Sequence, residues 1–277
     1  MYVDEFEGEF DVEWLKTAKD SVKVTMPSSA LLRETDFRQL MEATRSLIEP
    51  NHQITLDLSE TRVEGGILNG LEGSQYIGFC GGSNHENGIK NVSEFRLPQG
   101  ITQIKNRAFA YSDYTKIVVP ASLTQIAGSP SNGCDKMVWE VASGNKSFKN
   151  DDKGALYDFD MTTLMVLNGG SGSAYTIHDG TITIGAWALY ENSVIESLTI
   201  PASVTTMSAD CISGTSKLTT ITCLGTTPAA IKANTGANRV GPKDNIKTLY
   251  VPKGCVDAYK TAWKVLLNEG NWEVKEI

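Results

Sequence analysis

Gly78-Phe79-Cys80-Gly81-Gly82 fits G-x-C-x-G, the spacing of a nucleophile elbow with a thiol in place of a hydroxyl, and His85 lies close by. An elbow holds its nucleophile on a sharp turn between a strand and a helix. The stretch QYIGF before Cys80 has strand character, but Ser83 to Gly88 is a run of turn formers with no helix in it. The segment therefore reads as a glycine-rich loop and not as a catalytic centre. Asp151, Asp152, Asp158 and Asp160 offer hard oxygen ligands of the kind calcium takes. The alternating EF-hand spacing is absent, so they read as a solvated hairpin turning at Lys153-Gly154. Gly169 to Ser173 is glycine-rich but lacks G-K-[ST], so it reads as a flexible connection and not a phosphate loop. The three histidines, His52, His85 and His178, are far apart and match no zinc spacing. No catalytic residue, metal ligand or cofactor is assigned, and the chain reads as a non-enzyme.

The chain has 277 residues, 40% hydrophobic and 21% charged, a soluble globular balance. At roughly 150 residues per domain this suits about two domains or one long repetitive one. A formal net charge of -8 makes nucleic acid a poor partner. No apolar run reaches the length of a membrane span. The opening MYVDEFEGEFDVEW has neither a basic n-region nor an apolar h-region, and reads as a chain without an export signal. The five cysteines, Cys80, Cys134, Cys211, Cys223 and Cys255, are odd in number and widely spaced. They read as small buried hydrophobes and not as a disulfide scaffold.

Self-similarity is the main signal. Four segments align without gaps: from Phe95, FRLPQGITQIKNRAFAYS; from Ile117, IVVPASLTQIAGSPSNGC; from Tyr175, YTIHDGTITIGAWALYEN; from Leu198, LTIPASVTTMSADCISGT. Leu97, Val119, Ile177 and Ile200 share one slot; Pro98, Pro120 and Pro201 follow three of them, with His178 in the fourth place. Ile104, Ile126, Ile184 and Met207 share a later slot. The spacing of 22 to 23 residues falls in the leucine-rich-repeat range of about 20–29. MVWEV from Met137 and LTTITCL from Leu218 look like strands of degenerate coils. Each coil begins with a β-branched strand, which proline ends because it has no N–H to donate. A second short strand follows, and Ala108-Phe109 or Ala188-Leu189 then fills the interior. One coil cannot bury its apolar face alone, so coils stack and the ends need caps.

Both ends have helical patterning. Thr35 to Ile48 is amphipathic, with Asp36 and Gln39 spaced as a capping box and Pro50 as a stop. ITLDLSET from Ile54 is a strand with outward Thr and Asp. After VPKGC, Asp257 is placed as an N-cap, Tyr259, Trp263, Leu266 and Leu267 as the buried face, and Gly270 as a stop. Residues 1–20, with seven acidic and two basic side chains, form an acidic lead or an edge strand. The organisation expected is 1–90 as acidic lead, N-terminal capping helix and degenerate coils, then 91–277 as solenoid with a C-terminal helical cap, the two running as one continuous domain.

In this alignment Trp187 falls opposite Arg107, so the slot is not kept apolar and should face outward. Trp187, Tyr190, Tyr111 and Tyr114 are the candidate binding residues, an exposed aromatic stripe able to anchor an interface or stack on sugar rings.

The pattern L-x-I-P-x-x-V-T-x-I-x-x-x-A-F-x-x-C, carried at Leu198–Met207, Leu97–Phe109 and Val119–Cys134, resembles the BspA-like leucine-rich-repeat proteins of bacterial cell surfaces. The insertion Asn145 to Gly180 is similar to that family's longer repeat, and the stretch from Thr222 to Ile277 to its C-terminal cap. His178 stands in for a proline, and Pro130-Ser131 for Ala-Phe. The resemblance implies an α/β repeat solenoid, a right-handed coil of short parallel strands with helical caps at both ends. It also implies a cell-surface or secreted adhesin-like scaffold contacting a host or matrix protein or a glycan. The alternative is a structural envelope or spacer component.

Overall fold

A computed structural model describes residues 23–25, 31–45, 54–63, 67–68, 81–82, 85–86, 88–232, 248–264, 266 and 272–277. They fall into two compact units, 1–148 and 149–277. In unit 1 the order is β1 (Lys23–Thr25), β2 (Leu31–Leu32), α1 (Glu34–Arg45), β3 (Ile54–Asp57), β4 (Arg62–Val63) and β5 (Ile67–Leu68). Then come β6 (Val92–Arg96), β7 (Gln103–Ile104), β8 (Lys116–Val119), β9 (Gln125–Ile126) and β10 (Val138–Val141). Unit 2 starts within β11 (Phe148–Asn150), then β12 (Leu156–Asp158), β13 (Thr163–Val166), β14 (Ala174–Thr176) and β15 (Thr183–Ile184). It ends with β16 (Ser197–Ile200), β17 (Thr206–Met207), β18 (Thr220–Cys223), β19 (Ala230–Ile231), β20 (Thr248–Val251), α2 (Val256–Ala262) and β21 (Glu273–Glu276).

Each unit is a parallel-strand solenoid. In unit 1 the first strands of successive coils pair in the order β1-β3-β6-β8-β10, and the second strands in the order β5-β7-β9. In unit 2 the corresponding ladders are β14-β16-β18-β20-β21 and β13-β15-β17-β19. Register follows the sequence repeat: Glu94 pairs with Lys116 and Lys116 with Val138, while Ser197 pairs with Thr220. Side chains alternate along each strand. Leu198, Ile200, Ile221, Cys223, Leu249 and Val251 therefore point into the core of unit 2, and Phe95, Ile117, Val119 and Trp139 into that of unit 1. The degenerate coils behave as the pattern requires, since MVWEV contains β10 and LTTITCL contains β18.

A further line of backbone bonds closes the coil on its third side. Arg107, Phe109 and Tyr111 donate N–H to the carbonyls of Ser129, Pro130 and Asn132 at 2.8–2.9 Å, and Trp187, Leu189 and Glu191 to those of Ala209, Cys211 and Ser213 at 2.7–3.2 Å. Buried backbone groups in this irregular segment are thus satisfied by the neighbouring coil.

Two asparagines join coils from inside. Asn145 donates Nδ2–H to the carbonyls of Pro120 and Leu123 and accepts the N–H groups of Ser147 and Phe148 at Oδ1. Asn192 donates to Leu167 and accepts from Val194 and Ile195. Asn192 shares its slot with Ser112, Cys134 and Thr215, all buried. Cys134 donates Sγ–H to the carbonyl of Phe109, and Thr215 its hydroxyl to that of Ile212.

The helices are short and lie within coils, not beyond them. α1 sits between β2 and β3, and α2 between β20 and β21, so the outermost ladder strands are β1 and β21. α1 starts at Glu34, which places Asp36 inside the first turn and not at the N-cap. The N-cap of α2 is Cys255, and Asp257 lies in the first turn, where a negative charge meets the helix dipole favourably. Tyr259, Trp263 and Leu266 are buried as expected. Tyr259 bonds the carbonyl of Gly225 and Trp263 Nε1 that of Ala229. Leu267, Gly270, residues 1–20 and Pro50 lie outside the described residues. The edge strand β21, Glu-Val-Lys-Glu, is mostly exposed, with a Lys275–Glu273 ion pair of 2.8 Å. Charge on an edge discourages pairing with another chain.

Candidate functional site

The corner that follows the second strand has an unusual backbone. Arg107, Trp187 and Asp210 occupy equivalent slots, all with left-handed φ, at 59°, 57° and 53°. Four residues later, Tyr111, Gly133, Glu191 and Gly214 share a slot with φ of 56°, 68°, 55° and 74°. Residues other than Gly, Asn or Asp are uncommon there, and a bulky one is an outlier.

In the second of these slots the side chains explain themselves by packing. A Cβ on Gly133 would sit 2.4 Å from Cδ1 of Tyr111, and one on Gly214 would sit 2.9 Å from Cγ of Glu191. A large side chain in one coil thus covers a glycine in the next. Tyr111 also meets His85 edge-on, with ring centroids 5.2 Å apart. In the first slot Trp187 is half-buried, and its indole makes no ring contact or hydrogen bond with the described residues. Arg107 is half-buried in the same way.

The four aromatic candidates separate. Tyr111 and Tyr114 belong to unit 1, Trp187 and Tyr190 to unit 2. Trp187, Tyr190 and Tyr111 are half-buried. Tyr114 is a correction: it is 0% exposed, with its ring 6.2 Å from that of Phe95 and 5.9 Å from that of Phe109. It fills the core between coils and cannot serve in a surface stripe. The alternation of a single segment does not reveal this, because Phe109 from the same coil and Phe95 from the preceding strand meet on it only when the coil closes.

Cys80, Gly78 and Phe79 lie outside the described residues, while His85 is exposed. Cys134, Cys211, Cys223 and Cys255 are free and buried. Burial pushes the thiols of Cys134, Cys211 and Cys223 up to about 12, so each stays protonated and unreactive near neutral pH.

The aspartates of the insertion fix turns. Asp151 accepts the N–H groups of Lys153 and Ala155 at Oδ1 and the hydroxyl of Tyr175 at Oδ2. Tyr175 lies 2.8 Å, hydroxyl to hydroxyl, from Tyr157, which accepts the N–H of His178 at 3.1 Å. Burial raises both tyrosines above their ordinary range. Asp158 accepts the N–H groups of Thr162 and Thr163 and the Thr162 hydroxyl. The two carboxylates therefore anchor separate turns of the β11-β12-β13 meander. Among the described residues no three His, Cys, Asp or Glu side chains come together as a metal site, and no helix is long and apolar enough to cross a membrane.

Outward-facing residues of the long ladders differ between the units. In unit 1 they carry charge: Glu94 pairs with Arg96 at 2.6 Å and Lys116 at 3.9 Å, and Lys116 pairs with Glu140 at 3.0 Å. In unit 2 they are mainly threonine and serine. The sequence pattern held this difference in Leu-Thr-Ile and Thr-Ile-Thr against Glu-Phe-Arg, but the alternation of faces has to be known before it can be read.

Residues 83–138 and 168–236 match the sequence model described as BspA type leucine rich repeat region, in six copies. No curated protein matches the chain. Among solved structures, a leucine-rich repeat protein from Eubacterium ventriosum is similar at 16% identity, over 92% of this chain and 72% of that one, with a TM-score of 0.46. A leucine rich cell surface protein from Faecalibacterium prausnitzii is similar at 12% identity, over 92% and 78% respectively, with a TM-score of 0.42. The pneumococcal vaccine antigen PcpA is similar at 14% identity, over 92% and 78%, with a TM-score of 0.34.

Proposed function

We propose that this chain, a BspA-type leucine-rich-repeat protein over residues 83–138 and 168–236, is a non-enzymatic binding scaffold of the bacterial cell surface or its secreted fraction. Its partner is a host or matrix protein or a glycan. The repeat type supports the scaffold and its display. The observation that carries binding is Trp187. A tryptophan in a left-handed corner costs on the order of 1 kcal/mol relative to glycine. Its indole is half-buried but makes no ring contact or hydrogen bond with the described residues that would offset that cost. Tyr111 and Glu191 in the neighbouring slot do have a packing role. A strained, half-exposed aromatic of this kind is what a hot spot needs; Tyr190, half-buried nearby in sequence, extends it, and Tyr111, in the other slot, is a half-buried aromatic of unit 1.

The experiment is a binding panel of immobilised matrix proteins, mucins and glycans, with wild type and Trp187→Gly. Glycine relieves the corner, so the variant should melt at the same temperature or slightly higher while losing affinity for whatever wild type binds. A less stable variant with unchanged binding would make Trp187 a packing residue. A folded wild-type chain that binds nothing on the panel but self-associates would point instead to a structural envelope role.

A further inference from the structure

The outer face of the long ladder in unit 2 carries an ordered set of hydroxyls. Register aligns Thr176, Thr199 and Thr222 in one file. Ser197, Thr220 and Thr248 align in a second. Neighbouring parallel strands lie about 4.8 Å apart, and alternate residues of one strand about 6.6 Å apart. The six hydroxyls therefore form a grid of roughly that mesh. All are half-buried or exposed, and none donates or accepts a side-chain hydrogen bond among the described residues. The first file continues in register onto Tyr250, also half-buried, which puts an aromatic ring between the hydroxyls and Lys275 of β21.

Three properties narrow the ligand. Each hydroxyl is one donor and two acceptors, so the face suits a partner that both donates and accepts at close intervals. The six hydroxyls carry no charge, and Lys275, which follows Tyr250 in the first file, is already paired with Glu273 at 2.8 Å, so the face offers a polyanion little cationic partnership. The outer charges of unit 1 are already paired with one another. Apart from Tyr250 the grid holds no large apolar side chain of the sort that anchors a protein interface. β-Branched threonines are stiff at χ1, so little rotamer entropy is lost when they are engaged.

We propose that this face binds a neutral polysaccharide. The chain would lie across the strands along the hydroxyl files, exchanging hydrogen bonds with Thr199, Thr222, Ser197 and Thr220 and stacking a sugar ring on Tyr250. This names the ligand class of the binding scaffold proposed above and rests on that reading.

The test uses the full chain against soluble neutral polysaccharides (a glucan, a mannan and a galactomannan), with heparin and polygalacturonate as charged controls. One variant is Thr199→Val with Thr222→Val, which keeps the β-branched shape; a second is Tyr250→Ala. Wild type is expected to bind a neutral polysaccharide saturably and independently of salt. The double variant should lose about tenfold in affinity, the worth of two ordinary hydrogen bonds, with an unchanged melting temperature, and Tyr250→Ala should also weaken binding. Binding only to the charged polymers, falling with salt, would overturn the proposal. So would neutral binding that both variants leave intact, or no polysaccharide binding at all. If a panel protein binds in a Trp187-dependent way that the threonine variants do not disturb, the scaffold reading stands and this inference fails.

Discussion

The two units solve the same interior problem and diverge outside. Ile117 and Val119 in β8 point inward as Leu198 and Ile200 do in β16. Asn145 in one and Asn192 in the other tie a coil to its predecessor in the same manner, Asn145 through two carbonyls and Asn192 through one, each accepting two N–H groups at Oδ1. On the outer face, unit 1 has Asp57, Glu94, Arg96, Lys116 and Glu140 joined by ion pairs of 2.6–4.0 Å. Unit 2 has mainly hydroxyls there, which make no side-chain hydrogen bond among the described residues, with one ion pair, Lys275–Glu273, on the edge strand. Stacking constrains the inside, since a void or an unpaired polar group there costs several kcal/mol. The outside is under no such constraint. Partly exposed ion pairs are worth about 1 kcal/mol or less each, so stability alone does not explain either outer face. What distinguishes the units is the chemistry each outer face carries, paired charge in unit 1 and mainly hydroxyls in unit 2.

The sameness of the interiors is the claim easiest to break. Asn145→Ala and Asn192→Ala should each destabilise their own unit by about 2–4 kcal/mol, because buried N–H and C=O groups are left unpaired. Chemical denaturation followed by peptide-resolved hydrogen exchange reads both. A large loss at one asparagine and none at the other would show that the two tie points are not equivalent.

Alkaline pH should then separate the units. The buried thiols sit at about 12 against an ordinary 9.0, so their contribution is complete below pH 9 and is lost as pH rises from 9 toward 12, where the unfolded thiols ionise first. At pH 10 this amounts to about 1 kcal/mol per thiol. Tyr157, Tyr175 and Tyr259 are also raised by burial and add a loss of the same sign above pH 10. Unit 2 holds all three tyrosines and two of the three thiols, Cys211 and Cys223, against Cys134 in unit 1. Limited proteolysis at rising pH should therefore cut within 149–277 before 1–148. The reverse order would count against this account of the core.

The smallest effect concerns the outer faces themselves. Raising salt to about 1 M shortens the screening length to about 3 Å. That should loosen β6, β8 and β10 by less than about 1 kcal/mol and leave β16 and β18 unchanged, as hydrogen exchange of those strands would show. Equal responses in both units would mean the ion pairs contribute nothing measurable.

Much of the fold could be read from the chain. Leu-Thr-Ile followed by proline marks a strand and its end, and the helical spacing of Tyr259, Trp263 and Leu266 marks the buried face of α2. The aromatic stripe was read less well. Tyr114 is covered by Phe95 and Phe109, whereas the outward reading rested on the slot that Trp187 shares with Arg107, which Tyr114 does not occupy. The left-handed corner at Trp187 and Arg107 was legible as a variable slot but not as a strained one. The strand at Glu273–Glu276 carries no strong strand signal and forms because β20 offers it a free edge.

The sequence by itself determined the coil: its period, its two strands, the proline that separates them and the residues that turn inward. Those depend on backbone preferences and side-chain alternation within a single repeat. The tertiary structure decided which outward residues are spent and which remain available. That depends on the neighbour one period away, which covers Tyr114, seats Tyr111 over Gly133, pairs Lys116 with Glu140 and leaves the hydroxyls of Thr199 and Thr222 open.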